Sequence, residues 1–224
     1  MANSWRDGCL VCGKCTKFCS AQARRFVGSE FTVDQLLENI LEDLAFYKGT
    51  NGGITFSGGE PLAQPDFIFA CANILRAKDV HVAVETSGFW PTDLSEELIN
   101  TFDLILFDLK HVNKNKFMKT IGKDNKNILL NLKLLLDSAI PIELHITLIP
   151  EFNDASSDLV EIANWLKKCS RIPQVKLLPF HRLATAKEKL FNRIYPLANQ
   201  APTTEDQLNL AIKTLRDEGI PVII

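Results

Sequence analysis

The 224-residue sequence has no surplus of charge of either sign: 25 Lys and Arg stand against 27 Asp and Glu, a formal net charge of −2. That balance excludes the strongly basic surface by which proteins hold nucleic acid or anionic lipid. Long hydrophobic runs are also missing. The longest apolar stretches, such as 128–136, are interrupted by Asn or Lys and fall short of the ~18 residues a membrane span needs. The opening Met-Ala-Asn-Ser-Trp-Arg-Asp lacks the apolar centre of a secretory leader. A cytoplasmic location is therefore expected, with neither nucleic acid nor membrane as a partner. There is no internal repeat, no low-complexity segment and no Pro/Gly/Ser linker. At 46% hydrophobic residues, the chain has enough apolar surface for one large domain, alone or with a small appendage.

Cysteine is unevenly spread. Cys9, Cys12, Cys15 and Cys19 crowd into eleven residues, whereas Cys71 and Cys169 stand alone. In a reducing compartment such a cluster points to metal rather than to disulfides. Cys-x2-Cys-x2-Cys-x3-Cys is the bacterial ferredoxin spacing, in which tight loops converge thiolates on a 4Fe–4S cube. Zinc is the weaker reading, because structural zinc usually pairs two separated Cys-x2-Cys hooks. In two-cluster ferredoxins the fourth Cys of the run serves the other cluster, and here there is one run. Cys71 shares an apolar helical face with Phe67, Ile74 and Leu75 and reads as a core residue.

From residue 31 onward, strand-like and helix-like segments alternate. Strands are expected at 53–57, 80–87, 104–109, 142–149, 175–179 and 221–224. Helices are expected from Thr32 through Leu44, and at 65–77, 94–101, 125–138, 155–168 and 204–218. The first and last of these helices open with a Thr-x-x-Gln capping box. Alternation of this kind implies an α/β fold with a parallel sheet covered by helices, either an open doubly wound sheet or a barrel. Polar clusters follow nearly every strand: Ser57-Gly58-Gly59-Glu60, Glu85-Thr86-Ser87-Gly88, Asp108-Leu109-Lys110-His111, Glu151-Phe152-Asn153-Asp154 and Phe180-His181-Arg182. Parallel α/β folds assemble their sites at that edge, so the five clusters are candidates for one shared site.

Two of these clusters carry chemistry of their own. The glycine pair before Glu60 lets the backbone approach a ligand closely, and the missing Gly-Lys-Ser/Thr ending excludes a phosphate-binding P-loop. Asp108 and Lys110, two residues apart on one strand, project to the same face and pair an acceptor with a cation.

Ser57-Gly58-Gly59-Glu60-Pro61, Glu85-Thr86-Ser87-Gly88, Asp108-Leu109-Lys110-His111, Leu148-Ile149-Pro150 with Asn153-Asp154, and Leu177-Leu178-Pro179-Phe180-His181-Arg182-Leu183 together resemble the glycyl radical enzyme activating enzymes. These belong to the radical S-adenosylmethionine superfamily, and the match is to the subgroup that carries a ferredoxin-like insert. The resemblance implies a partial (β/α) TIM-like barrel with a short ferredoxin-like N-terminal segment, divided at about 1–30 and 31–224. It also implies two cofactors, S-adenosylmethionine and a 4Fe–4S cluster. The partners implied are a glycyl radical enzyme, of the formate lyase or dehydratase kind, and a small redox protein as electron donor.

By position, Gly58, Gly59 and Glu60 match the segment that bonds the amino group of S-adenosylmethionine. Asp108, Leu109 and Lys110 match the stretch contacting its methionine and ribose portions, and His181 matches a histidine near ribose and adenine. Glu85, Thr86 and Asp108 fall where some members bind a monovalent cation. Cys9, Cys12, Cys15 and Cys19 match a cluster motif of the insert. Two departures accompany the match. The family's Cys-x3-Cys-x2-Cys is not among these 224 residues, since Gln22 stands where Cys15-x3-Cys19 would need its third cysteine. His145 and Glu151 occupy positions where the family usually has Arg and Gly. The expectation is thus a truncated activating enzyme whose barrel lacks its first strand and which is inactive alone. A non-catalytic iron–sulfur electron-transfer or cluster-binding protein is the alternative.

Overall fold

The computed structural model describes residues 10, 12–24, 28–50, 52–183 and 197–223. The chain forms two compact units, one of residues 1–32 with 181–201 and one of residues 33–180 with 202–224. In the first unit, α1 (Lys14–Lys17) is a single turn entered through Gly13 at φ 70, with the Thr16 hydroxyl donating back to the Gly13 carbonyl at 2.8 Å.

The second unit holds α2 (Val33–Leu41), α3 (Leu44–Thr50), β1 (Gly53–Phe56), α4 (Pro65–Arg76), β2 (His81–Thr86), α5 (Ser95–Thr101), β3 (Leu104–Asp108), α6 (Lys114–Ile121), α7 (Lys126–Asp137), β4 (Ile142–Leu148), α8 (Ser156–Leu166), β5 (Gln174–Pro179), α9 (Glu205–Asp217) and β6 (Val222–Ile223). The six strands pair in chain order, β1-β2-β3-β4-β5-β6, and every pairing is parallel. A doubly wound sheet reverses its order at a switch point; this one does not, so it is a barrel wall. All five crossovers then lay their helices on the same face, because such connections are right-handed.

Side chains alternate accordingly. On the helix-covered face Val82, Val84, Ile105, Phe107, Leu144, Ile146, Val175 and Leu177 are buried. On the open face Glu85, Leu106, Asp108, Glu143 and Lys176 are half-buried. Caps fix the helix ends near the site. Asn113 accepts from the amides of Asn115 and Lys116 at 3.0 and 3.1 Å to start α6, and Gly122 ends it at φ 76. Thr204 and Gln207 close the expected reciprocal box on α9. The helix expected from Thr32 through Leu44 is instead two helices, because the chain turns at Glu42-Asp43 and the Asp43 carbonyl starts the second by accepting from Phe46 and Tyr47. No described helix is long and apolar enough to cross a membrane.

Candidate functional site

The loops following β1 and β2 are tied together at the C-terminal edge of the sheet. Gly58, at φ 128, and Gly59 both have open space where a Cβ would stand, so the backbone there is accessible to a ligand. Beside them the Glu60 carboxylate is fully engaged by its own scaffold. It accepts from the Thr86 hydroxyl (2.8 Å), the Ser87 amide (2.9 Å) and hydroxyl (2.7 Å), and the Leu62 amide (3.3 Å). Glu60 therefore holds the β1 loop to the β2 loop beside the open Gly58–Gly59 backbone. Ser57 donates to Glu85 at 2.5 Å, a second tie between the same loops. Thr86 is buried, with its hydroxyl spent on Glu60 and on the Gly88 amide.

Asp108 closes β3 on the open face. One of its oxygens pairs with Lys110; the other, Oδ1, is buried and has no hydrogen-bond partner. Leu109 faces the other way and is fully buried, with its amide donating to the His145 carbonyl at 2.9 Å. Asn153 locks the strand ends. Its amide nitrogen donates to the carbonyls of Lys110 (2.9 Å) and Thr147 (3.0 Å), while its oxygen accepts from the Ile149 amide (2.7 Å).

Behind this edge lies a second polar cluster, His111, Asp158 and Glu161, whose ligand atoms lie within 4.8 Å of one another. Its hydrogen bonding argues against a metal. His111 Nδ1 accepts from the Asn113 amide at 2.9 Å, so in the neutral ring the hydrogen sits on Nε2, 3.4 Å from Asp158, where a metal would need a lone pair. Burial holds the His111 pKa below the usual histidine value, with the Asp158 and Glu161 carboxylates pulling the other way.

His181 is exposed and belongs to the first unit. Cys12 and Cys15 are exposed and Cys19 is half-buried; Cys9 lies outside the described residues. Among the described residues these thiols do not converge to within one metal ion's reach. The sequence reading gave no role to Glu143 and Lys176, which line the open face beside Asp108. The signal for Glu143 was a carboxylate two residues before His145 in an otherwise apolar strand.

Comparison with known proteins agrees with this architecture. Residues 11–166 match the Radical SAM superfamily. The chain is 35% identical to the benzylsuccinate synthase activating enzyme of Thauera aromatica, over 97% of this chain and 77% of that protein. It is 31% identical to the pyruvate formate-lyase-activating enzyme of Staphylococcus epidermidis, over 87% and 80%. With the isethionate sulfite-lyase activating enzyme of Desulfovibrio desulfuricans it shares 34% identity over 92% of this chain, but spans only 65% of that relative's length. A domain of a pyruvate-formate lyase-activating enzyme from Bacteroides vulgatus superposes with a TM-score of 0.65 at 25% identity, covering 77% of this chain and 98% of that one.

A parallel sheet in sequential order, with its polar loops gathered at one edge, is thus that of a radical S-adenosylmethionine protein. Within that superfamily the chain belongs to the glycyl radical enzyme activating enzymes. The electron-transfer alternative is not favoured by these relatives.

The two cofactors the family implies fare differently against the residues present. The orphaned Asp108 Oδ1 and the open space over Gly58 and Gly59 suit S-adenosylmethionine, which brings hydrogen-bond donors to the first and polar groups to the second. For a cluster that cleaves it, these 224 residues offer no Cys-x3-Cys-x2-Cys. The Cys9–Cys19 run supplies a thiolate set of the right chemistry for a separate cluster.

Proposed function

We propose that this chain is the S-adenosylmethionine-binding barrel of an activating enzyme that installs a glycyl radical on a partner enzyme. The observation that carries this reading is the unpartnered, buried Asp108 Oδ1 beside Lys110, at the sheet edge where the Gly58–Gly59 backbone is open. In that reading Asp108 accepts from a donor of the ligand and Lys110 faces its carboxylate, since a charge-assisted bond is the natural partner for each. Glu60 acts at one remove, keeping the glycine pair in position through Thr86 and Ser87. The ligand's chemistry, when a suitable iron–sulfur cluster reduces it, is release of a 5′-deoxyadenosyl radical that takes hydrogen from a backbone glycine. Binding and orientation are the part this chain's residues perform.

Titration calorimetry with S-adenosylmethionine tests the site. The unsubstituted chain is expected to bind weakly, because these 224 residues offer no Cys-x3-Cys-x2-Cys set whose cluster would add to the binding. Asp108→Ala is expected to weaken binding by about tenfold, the effect of one charge-assisted hydrogen bond. Equal binding by both proteins, or none by either at millimolar ligand, overturns the reading.

A further inference from the structure

Helix α6 is fixed in place yet barely packed. Of its residues only Phe117 is buried, and among the described residues no other helix or strand packs along it. So short a helix does not hold together in water by itself. Here its ends are secured by the Asn113 cap and by Gly122, and side chains anchor it from outside. Asn113 Nδ2 donates to the Glu161 carboxylate at 3.0 Å. Asn125 donates to the carbonyls of His111 (3.1 Å) and Val112 (3.0 Å), just ahead of the helix. Lys116 pairs with the buried Asp158. The result is an immobilised helix with its outer face left to solvent.

That face combines two properties. Met118 and Ile121, 43% and 45% exposed, follow Lys114 at i+4 and i+7 and form one apolar stripe. Around them the charge is of one sign: residues 114–126 hold five lysines and one aspartate, a local +4 in a chain of net −2. Lys114 and Lys116 have partners in Asp124 and Asp158. Lys119, Lys123 and Lys126 are exposed and form no ion pair with any described residue. Single apolar side chains on a surface need no explanation. A pair of them among unpaired lysines, on a helix held rigid from both ends, is a preorganised docking face, complementary to an apolar ridge flanked by carboxylates.

Helix α6 opens at Lys114, a few residues after β3 ends at Asp108, and so stands beside the sheet edge that carries the candidate site. An enzyme that presents a backbone glycine to a ligand at that edge has to rest on the elements around it. We propose that the outer face of α6 docks an acidic, apolar-ridged helix of that partner enzyme, with Met118 and Ile121 meeting the ridge and Lys119 and Lys123 its carboxylates. This rests on the reading of the chain as the barrel of an activating enzyme.

The probe is a synthetic helical peptide of about 15 residues, with leucine at i, i+3, i+4 and i+7 and glutamate on both flanks. Titrated into the 15N-labelled chain at low ionic strength, it is expected to shift the amide signals of residues 114–123, and to bind about tenfold more weakly in about 0.3 M salt. Lys119→Glu combined with Lys123→Glu should weaken binding about tenfold. Met118→Ala combined with Ile121→Ala should weaken it at high salt as well as low, because apolar contact is not screened. A dispersed amide spectrum shows that each variant is folded, and neither should alter S-adenosylmethionine binding by calorimetry. A peptide with lysine in place of glutamate should not bind. Shifts clustered away from α6, or equal binding by the lysine peptide or by the charge-reversed variant, overturn the inference. So does preferential binding of phosphatidylglycerol vesicles, which would assign α6 to a lipid surface. S-adenosylmethionine binding without peptide binding overturns this inference alone. Peptide binding at α6 without S-adenosylmethionine binding overturns the functional reading, and the identity of the partner with it.

Discussion

His111 accepts from the Asn113 amide on one ring nitrogen, while the other, buried and without a hydrogen-bond partner, lies 3.4 Å from Asp158, and the Phe152 ring packs edge-on at 5.6 Å. Its pKa in the folded chain lies below the usual histidine value because burial opposes the charged form. Between that lowered value and about 6.5, the unfolded chain holds a proton that the folded chain does not. Stability is therefore intact above about pH 6.5 and falls as the pH drops from there toward the folded value. Urea midpoints at pH 7.5 and 5.5 should show this loss, and His111→Asn, which can still accept from the Asn113 amide, should show a smaller one. Equal pH slopes in the two proteins would refute the assignment.

Glu151 poses a backbone question instead. The resemblance implies glycine there, and the structure holds Glu151 at φ 66, with its amide donating to Asp154 at 2.8 Å. A left-handed conformation costs an L-residue roughly 1–2 kcal/mol, whereas glycine adds roughly 0.5–1 kcal/mol of unfolded-chain entropy. Glu151→Gly is accordingly expected to stabilise the chain by about 0.5–1 kcal/mol in chemical denaturation. A destabilised variant would show that the carboxylate contributes something the backbone argument omits.

Elements were legible where their signal is local. Each expected strand appears within one or two residues of its predicted span, because a buried parallel strand is a short apolar run bounded by polar residues. The box on α9 is readable for the same reason, since all its partners lie within three residues. Helix α6 was missed. Its apolar residues, Phe117, Met118 and Ile121, are too few to set up a period, and its real signals are the Asn113 and Gly122 that bracket it. Asn153 shows the opposite limit. The sequence places it in a recognisable motif, yet its work is to bond the Lys110 carbonyl 43 residues away, a contact that exists only once β3 and β4 lie side by side. Glu60 is similar: its carboxylate accepts from Thr86 and Ser87, 26 and 27 residues on, contacts that no local pattern encodes.

At the scale of the whole molecule, alternation of strand and helix left two architectures open, and strand order decided between them. That order is a property of the assembled sheet, which no local period encodes. The cysteines show a comparable division, with a different outcome for each group. Burial raises the Cys71 thiol pKa, and burial with the nearby Asp137 carboxylate raises that of Cys169, so neither readily supplies the thiolate a metal requires. Cys12 and Cys15, by contrast, are exposed. Anaerobic reconstitution is therefore expected to load iron and acid-labile sulfide in near-equal amounts, about four of each per chain for one 4Fe–4S cluster. Cys12→Ala or Cys15→Ala should abolish the loading, while Cys71→Ala and Cys169→Ala should leave it intact. Stoichiometric zinc without labile sulfide would instead assign the run to a structural metal, and loss of iron in Cys71→Ala would move the cluster away from the N-terminal run altogether.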